Sequence, residues 1–189
     1  VIKTLTNAME NLHKKEKLEH MNQILSDLYV RDSVTGLYNR MGYQKLSISY
    51  FTIMREKKMP VLVMFIDLDR LKYINDTFGH EYGDFAIVSI AKAMLKHCDA
   101  DAIAARTGGD EFIVLEGAKD EESGRVLAQK IRTELSKTQR AMQLPFDLSA
   151  SIGAVVAHPG EENVLESYVK RAEMLMYEEK AEKKVSRDS

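Results

Sequence analysis

The sequence predicts an α+β sandwich with an N-terminal helical stalk, in which helices cover a central mixed, mainly antiparallel sheet. Three observations support this fold class. Short apolar runs typical of buried strands alternate with stretches of helical period, in the order strand, helix, hairpin, helix, strand, helix. A short Gly-Gly turn joins two of the strands, which makes that pair antiparallel. The first thirty residues contain neither Gly nor Pro, which favours a long helix.

The composition is typical of a globular protein. Of 189 residues, 44% are hydrophobic and 30% charged, which suits one ordinary domain plus an appendage. No apolar run approaches the roughly 18 residues of a membrane span. The net charge is −2, with both signs interspersed, so nucleic acid is not an expected partner. We expect a cytoplasmic protein without direct membrane contact, whose single cysteine, Cys98, is a packed thiol.

Residues 1–31 are predicted to form the stalk, a helix with an imperfect coiled-coil seam that pairs two copies of the chain. Its apolar residues have 3-4 spacing, and the register shifts at the charged run 14–17. A helix that packs on its own domain is the alternative. Because the chain opens with Val and has no signal-peptide pattern, we expect it to be the C-terminal part of a longer protein with an upstream sensor domain. The seam positions are Ile2, Leu5, Met9, Leu12, Leu18, Met21, Leu25 and Leu28.

Residues 32–185 form the predicted domain, and 186–189 a tail. A polar stretch ends the stalk, and the loop after the second domain helix contains two glycines, Gly79 and Gly83, before Asp84 caps the next helix. We predict helices over about 39–58, 70–78, 85–97, 120–137 and 164–182, and strands over about 61–66, 102–106, 112–115 and 148–156.

Two acidic clusters at strand ends predict a metal site. The Asp-Leu-Asp run 67–69 ends the first strand, and the motif RTGGDEF, 106–112, forms the hairpin tip. Neighbouring strands could bring up to four carboxylates together. Two like charges about 4 Å apart repel by roughly 4 kcal/mol at an effective dielectric of 20, so the cluster needs a cation or protons. Oxygen-only ligands favour Mg²⁺ or Mn²⁺. The alternative for 67–69 alone is a strand end followed by a helix cap.

Five ordered motifs make the domain resemble the GGDEF domain, the diguanylate cyclases that join two GTP molecules into cyclic di-GMP. The match covers residues 32 to about 184 and implies a nucleotidyl-cyclase-like fold with a ferredoxin-like palm. The motifs are DSVTGLYNR at the entrance, FIDLDRLKYINDTFGHEYGD in the middle, RTGGDEF at the hairpin, SIGA at 151–154 and AEMLMYEEK in the closing helix.

The resemblance implies which acidic residues hold metal. Asp67, the backbone carbonyl of Leu68 and one or both of Asp110 and Glu111 resemble the ligands of two Mg²⁺ (or Mn²⁺) ions per active site. Asp110 and Glu111 are the implied catalytic residues. Asp110 is associated with activating the 3′-hydroxyl of GTP, either as a base or as a metal ligand.

The resemblance also implies which residues bind the nucleotide. Asn75 and Asp84 resemble the guanine-reading residues, since an amide and a carboxylate can accept and donate along the guanine edge. Lys180 and Lys184 resemble cations that bind the triphosphate, and Lys72, one helical turn before Asn75, could also reach phosphate. Loop and cap roles are the alternative for the first pair, and a solvated helix end is the alternative for Lys180 and Lys184.

The chain also departs from the family pattern. Glu179 stands where alanine is usual, and Lys184 replaces an arginine. Asp99 and Ala102 stand where the family's inhibitory product site has Arg and Asp, so we expect no such site here.

The implied activity is that of a homodimeric diguanylate cyclase, because one domain has one nucleotide site and the product needs two GTP molecules facing each other. A catalytically silent GTP-binding regulatory domain is the alternative. Asp84 disfavours a cyclase that also accepts ATP.

Overall fold

The computed structural model describes residues 12–18, 21, 29–161 and 164–187. Residues 12–18 are helical, but most of the predicted stalk, and with it the coiled-coil seam, lies outside the described residues. The domain elements are α1 (Arg40–Glu56), β1 (Val61–Leu68), α2 (Leu71–Phe78), α3 (His80–His97), β2 (Ile103–Arg106), β3 (Glu111–Gly117), α4 (Ser123–Ala141), β4 (Ala150–Ala157) and α5 (Leu165–Arg187).

The four strands form one sheet in the order β2-β3-β1-β4, and every neighbouring pair is antiparallel. The α+β prediction is confirmed, and the first strand lies beside the hairpin as expected; its position between the hairpin and β4 is a finding of the structure. Within the described residues, the parallel component of the predicted mixed sheet is an isolated bridge between Tyr38 and Ala105, beside β2.

Helices cover both faces of the sheet. All eight residues of β1 are buried, because alternate side chains point to opposite faces and both faces are covered. Leu62, Met64 and Ile66 pack in one cluster with residues of α3 and α4. Val63 and Phe65 pack in a second cluster with residues of α1 and α5. The C-terminal end of β1 carries Asp67, one of the predicted metal ligands.

The start of α3 differs from the prediction. Gly79, at φ +93°, ends α2 and immediately precedes α3, so the helix begins at His80 rather than near 85. Gly83 and Asp84 therefore lie inside α3, and Asp84 is an exposed helical residue, not a cap. Gly83 is buried against α2, which explains why a glycine is needed there without any break in the helix.

Two smaller corrections concern α4 and α5. Helix α4 begins at Ser123 rather than near 120 and continues to Ala141, and it buries Leu127, Ile131 and Leu135. Helix α5 continues past the predicted end near 182 into the predicted tail, to Arg187. Sequence periodicity alone does not fix these helix boundaries, because polar residues are found both on the exposed face of a helix and in the loop beyond its end.

Candidate active site

The pairing of β1 with β3 brings three acidic residues together. Asp67 lies directly opposite Glu111 in the antiparallel register, and the backbone N–H of Leu68 donates to the carbonyl of Asp110 at 2.9 Å. Asp67 is buried, whereas Asp110 and Glu111 are partly exposed. The hairpin tip predicted from RTGGDEF is therefore held beside the end of β1.

Lys180 of α5 supplies the positive charge at this cluster. Its Nζ lies 2.7 Å from Oδ1 of Asp67. Burial raises the pKa of Asp67, the hydrogen bond and charge of Lys180 oppose this, and the charges of Asp110 and Asp69 add to it. Although partial burial acts to lower the pKa of Lys180, the hydrogen bond to Asp67 and the neighbouring carboxylates raise it. Lys180 is therefore a charged partner of a carboxylate that is costly to ionise.

Asp69 has a separate set of partners. Its oxygens accept hydrogen bonds from Ser151 Oγ at 2.7 Å, Ser149 Oγ at 2.8 Å and Lys183 Nζ at 3.1 Å. Burial acts to raise the pKa of Asp69, but these hydrogen bonds and the charge of Lys183 hold it below its usual value. Asp69 is thus held by hydrogen bonds from two serines and a lysine. The other three carboxylates of the two acidic clusters are the metal-ligand candidates predicted from the sequence.

The remaining donors fit a hard divalent cation in their chemistry. Asp67 is buried close to the charge of Asp110, and like charges in such a place favour a bound cation. Among the residues the structure describes, no three or more His, Cys, Asp or Glu side chains converge into a ready-made metal site. Lys180 is the cation that contacts Asp67 there.

A cavity of about 550 Å³ opens beside this cluster. The predicted phosphate-binding lysines, Lys72, Lys180 and Lys184, all line it together with Asp69 and Asp110. Arg70, which the sequence analysis did not single out, also lines it; its guanidinium lies 3.9 Å from the centroid of the Tyr73 ring. The cavity is therefore basic, with the acidic cluster at its border.

The predicted guanine-reading residues lie on two adjacent helices. Asn75 is on α2 and is partly exposed, and Asp84 is exposed on α3. A Cβ built on Gly83 would lie 1.9 Å from Oδ1 of Asn75, so the Asn75 amide occupies the space that the glycine leaves free. Neither Asn75 nor Asp84 is among the residues that line the cavity.

Arg106 ties the hairpin to the segment that follows the stalk. Its Nη2 donates to the carbonyl of Gly109 at 2.8 Å, and its Nη1 lies 3.3 Å from Oδ1 of Asp32. Burial acts to raise the pKa of Asp32, but hydrogen bonds from Thr35 and the charge of Arg106 keep it low. The sequence analysis missed this pair, because 74 positions separate its members.

Asn39 anchors the start of α1 to the same segment. Its Oδ1 accepts from the N–H of Gly42 at 2.9 Å, and its Nδ2 donates to the carbonyls of Tyr29 and Arg31 at 2.8 and 3.1 Å. The end of the predicted stalk and the acidic hairpin are thus connected through consecutive polar contacts.

The surroundings of Asp99 are acidic. Its backbone N–H donates to the buried carboxylate of Glu116 at 3.0 Å. Burial, followed by the charges of Glu116 and Asp99, raises the pKa of the Cys98 thiol to about 12, which is consistent with a packed thiol. The absence of an inhibitory product site at Asp99 and Ala102 stays a prediction.

Among the described helices, none combines the length and apolar composition that crossing a bilayer requires.

An antiparallel sheet with helices on both faces and an acidic hairpin beside a basic cavity defines a nucleotidyl-cyclase-like α+β domain. The family model described as "Diguanylate cyclase, GGDEF domain" matches residues 29–186. The chain therefore belongs to the GGDEF domain family.

Relatives with different activities share this domain. The chain is 34% identical over 153 residues to diguanylate cyclase VdcA of Vibrio cholerae serotype O1, covering 79% of this chain and 43% of VdcA. It is 27% identical over 165 residues to cyclic di-GMP phosphodiesterase NbdA of Pseudomonas aeruginosa, covering 87% of this chain and 21% of NbdA. The chain thus spans less than half the length of either relative.

The fold is also found in a solved structure of the coiled coil and GGDEF domain of DgcB from Caulobacter crescentus in complex with c-di-GMP. The TM-score is 0.76 at 22% identity, and the match covers 93% of each chain. At this identity the likeness establishes the fold.

Proposed function

We propose that this chain is a diguanylate cyclase that condenses two GTP molecules into cyclic di-GMP and releases pyrophosphate, acting as a homodimer. The observation that carries the proposal is that the two acidic clusters predicted from the sequence lie side by side. Asp67 faces Glu111 across β1 and β3, and through Asp110 and Lys180 this cluster borders a cavity lined by basic side chains. Carboxylates beside a basic cavity suit a metal-bound nucleoside triphosphate.

In the proposed reaction, the 3′-oxygen of one GTP attacks the α-phosphorus of the other. A phosphorus–oxygen bond forms, the bond to pyrophosphate breaks, and the hydroxyl proton is released; a second, equivalent transfer closes the ring. Asp67, Asp110, Glu111 and the carbonyl of Leu68 are the groups that would hold two Mg²⁺ or Mn²⁺ ions. When bound, such ions supply neutralisation of the triphosphate charge and polarisation of the attacking hydroxyl.

The residues of the cavity orient the substrate. Lys72 and Lys184 would bind the triphosphate as point charges. Lys180 lies both on Asp67 and in the cavity, so it can pair with carboxylate or with phosphate. Asn75 and Asp84 would read the guanine edge, because a carboxylate can accept from its N1–H and exocyclic amine, a pair of donors that adenine does not offer along that edge.

Two copies would act together. Each would contribute one bound GTP, and holding the two in facing positions can be worth about 7 kcal/mol or more relative to a free encounter. The contacts of Asn39 and the Asp32–Arg106 pair connect the end of the stalk to the hairpin, so a stalk governed by an upstream sensor could set that alignment.

The second candidate is a GTP-binding regulatory domain without turnover. The contact at 2.7 Å between Lys180 and Asp67 favours this regulatory domain. In the proposed cyclase Asp67 is a metal ligand, but here the Lys180 ammonium already neutralises its carboxylate.

Product analysis separates the two candidates. The protein is incubated with GTP, with ATP and with both, in Mg²⁺ and in Mn²⁺, and the products are identified by chromatography. We expect cyclic di-GMP from GTP alone, and a loss of at least about 10²-fold in rate for Glu111→Gln, with Glu56→Gln on the exposed end of α1 as the matched control. GTP binding without any product would support the regulatory domain and overturn the cyclase.

A further inference from the structure

Glu179 and Lys183 form an ion pair one helical turn apart on α5, and both also bond to the edge strand β4. Lys183 Nζ lies 2.7 Å from Oε1 of Glu179. Oε2 of Glu179 accepts from the backbone N–H of Ile152 at 3.2 Å, and Lys183 donates to the carbonyl of Ala150 at 2.7 Å. We call these two side chains the α5 clamp.

The clamp supplies hydrogen-bond partners to backbone groups of β4. In the part of the chain that the structure describes, this strand lies at the edge of the sheet, so its outward backbone groups have no strand partner there. Unpaired backbone groups at an edge are costly when shielded from water, and they attract other strands. The clamp satisfies one N–H and one carbonyl with charged partners, which form stronger hydrogen bonds than neutral ones.

The clamp also links two further parts of the domain and makes another contact with β4. Arg132 of α4 lies 2.6 Å from Oε2 of Glu179. Lys183 donates to Asp69 at 3.1 Å and to Ser151 Oγ at 3.2 Å. Through these contacts α5 is attached to α4, to β4 and to the residue that follows β1.

The part of α5 that carries the phosphate-binding lysines depends on such contacts. Met176 is buried, and from 177 to 186, the last position of α5 whose burial is described, every residue is at least partly exposed. Hydrophobic packing therefore holds the first half of the helix, and polar contacts attach the second half. Lys180 follows Glu179 directly and precedes Lys183 by less than one turn, so the clamp flanks the lysine that contacts Asp67.

We propose that Glu179 and Lys183 are positioning residues that hold the phosphate-binding end of α5 against the active site. Neither side chain lines the cavity, so they act on substrate affinity through Lys180 and Lys184. This inference rests on the proposed function, because it assumes that the cavity binds the triphosphate of GTP.

The test compares GTP binding, measured by calorimetry with a non-hydrolysable analogue, in four clamp variants. Lys183→Met should weaken binding by about tenfold, the lower range for residues that orient ligands without touching substrate. Lys183→Arg retains a charged donor and should restore most of the affinity. Exchanging the two charges, Glu179→Lys with Lys183→Glu, keeps an ion pair. It places a donor at the backbone N–H of β4 and an acceptor at its carbonyl, so it should not restore binding. Glu179→Gln, which keeps an acceptor for Ile152, should cost less than Lys183→Met.

A double-mutant cycle identifies the route of the effect. If the clamp acts through Lys180, Lys183→Met should lower affinity much less in a Lys180→Ala background than in the wild type. In turnover, the KM for GTP should rise more than kcat falls.

Three results overturn the proposal. One is wild-type affinity in Lys183→Met. Another is full rescue by the exchanged pair. The third is an equal loss with and without Lys180. If Lys183→Met does not fold, Glu179→Gln and Lys183→Arg are compared with the wild type instead. The clamp is contradicted if Glu179→Gln keeps wild-type affinity while Lys183→Arg loses affinity. Absence of GTP binding by the wild type would instead overturn the proposed function itself.

Discussion

The substitution Gly83→Ala should damage guanine recognition while leaving the fold intact. Gly83 is a buried position on α3, and the added Cβ would lie 1.9 Å from Oδ1 of Asn75, 2.9 Å from Cγ and 3.3 Å from Nδ2. All three atoms belong to the end of one flexible side chain. The Asn75 amide would therefore turn away, while the backbones of α2 and α3 keep their positions.

The two energetic consequences differ in size. An asparagine forced off its preferred rotamer costs about 0.5–1.5 kcal/mol, and alanine in place of glycine within a helix returns about 0.5–1 kcal/mol, so the net change in stability should lie within about 1 kcal/mol. A displaced amide leaves its guanine partner unsatisfied, which costs about 1–3 kcal/mol. In affinity this corresponds to a loss of about 5- to 150-fold.

The assay measures GTP and ATP affinity by calorimetry, and stability by urea unfolding, in Gly83→Ala, Asn75→Ala and the double variant. Lys92→Ala, at an exposed position of α3, is the matched control for added helix propensity. We expect Gly83→Ala to lose affinity for GTP but not for ATP, and the double variant to bind GTP no worse than Asn75→Ala alone.

Either of two results would refute this reasoning. Wild-type GTP affinity in Gly83→Ala would mean that the Asn75 amide does not read guanine. Independent, additive losses in the double variant would mean that Gly83 matters for another reason. A loss of more than about 3 kcal/mol in stability would show that the helices, and not the side chain, had to move.

Three further predictions concern groups outside the cavity. Burial and neighbouring carboxylates raise the pKa of Glu116, so its ionised form destabilises the fold above the folded-state pKa, and this cost disappears as the pH falls toward the ordinary glutamate pKa. Glu116→Gln should therefore raise the melting temperature at pH 8 and progressively less toward pH 4; a constant gain would contradict the assignment. The pKa of Cys98 is about 12, so the native protein should react with iodoacetamide at pH 7.5 about 10³-fold more slowly than the urea-unfolded chain, and comparable rates would contradict burial of the thiol. Asp32→Ala removes the acceptor for Thr35 and Arg106 and should cost about 1–3 kcal/mol in urea unfolding, with Arg106→Lys losing less; no loss would mean that solvent replaces these bonds.

The sequence predicted the parts of this protein that depend on local pattern. Apolar runs and a Gly-Gly turn were sufficient for the central strand and the acidic hairpin, because strand burial and tight turns are recorded in neighbouring residues. Three lysines were predicted to bind phosphate; the structure places all three along one cavity, and their binding of phosphate stays a prediction. The reading of Gly83 as a loop residue was wrong, because its small size serves a contact with another helix and not a turn.

Only the tertiary structure decided how the charges are paired. Lys180 reaches Asp67 across 113 positions, and Lys183 reaches Asp69 across 114, so no local pattern could assign these partners. The same holds for Arg106 and Asp32 at the entrance. Amino-acid order determined which charged groups the chain carries and which strands bring them near the site. Packing of α5 on the sheet decided which lysine pairs with which carboxylate, because the energy of a buried charge depends on the groups that surround it in space.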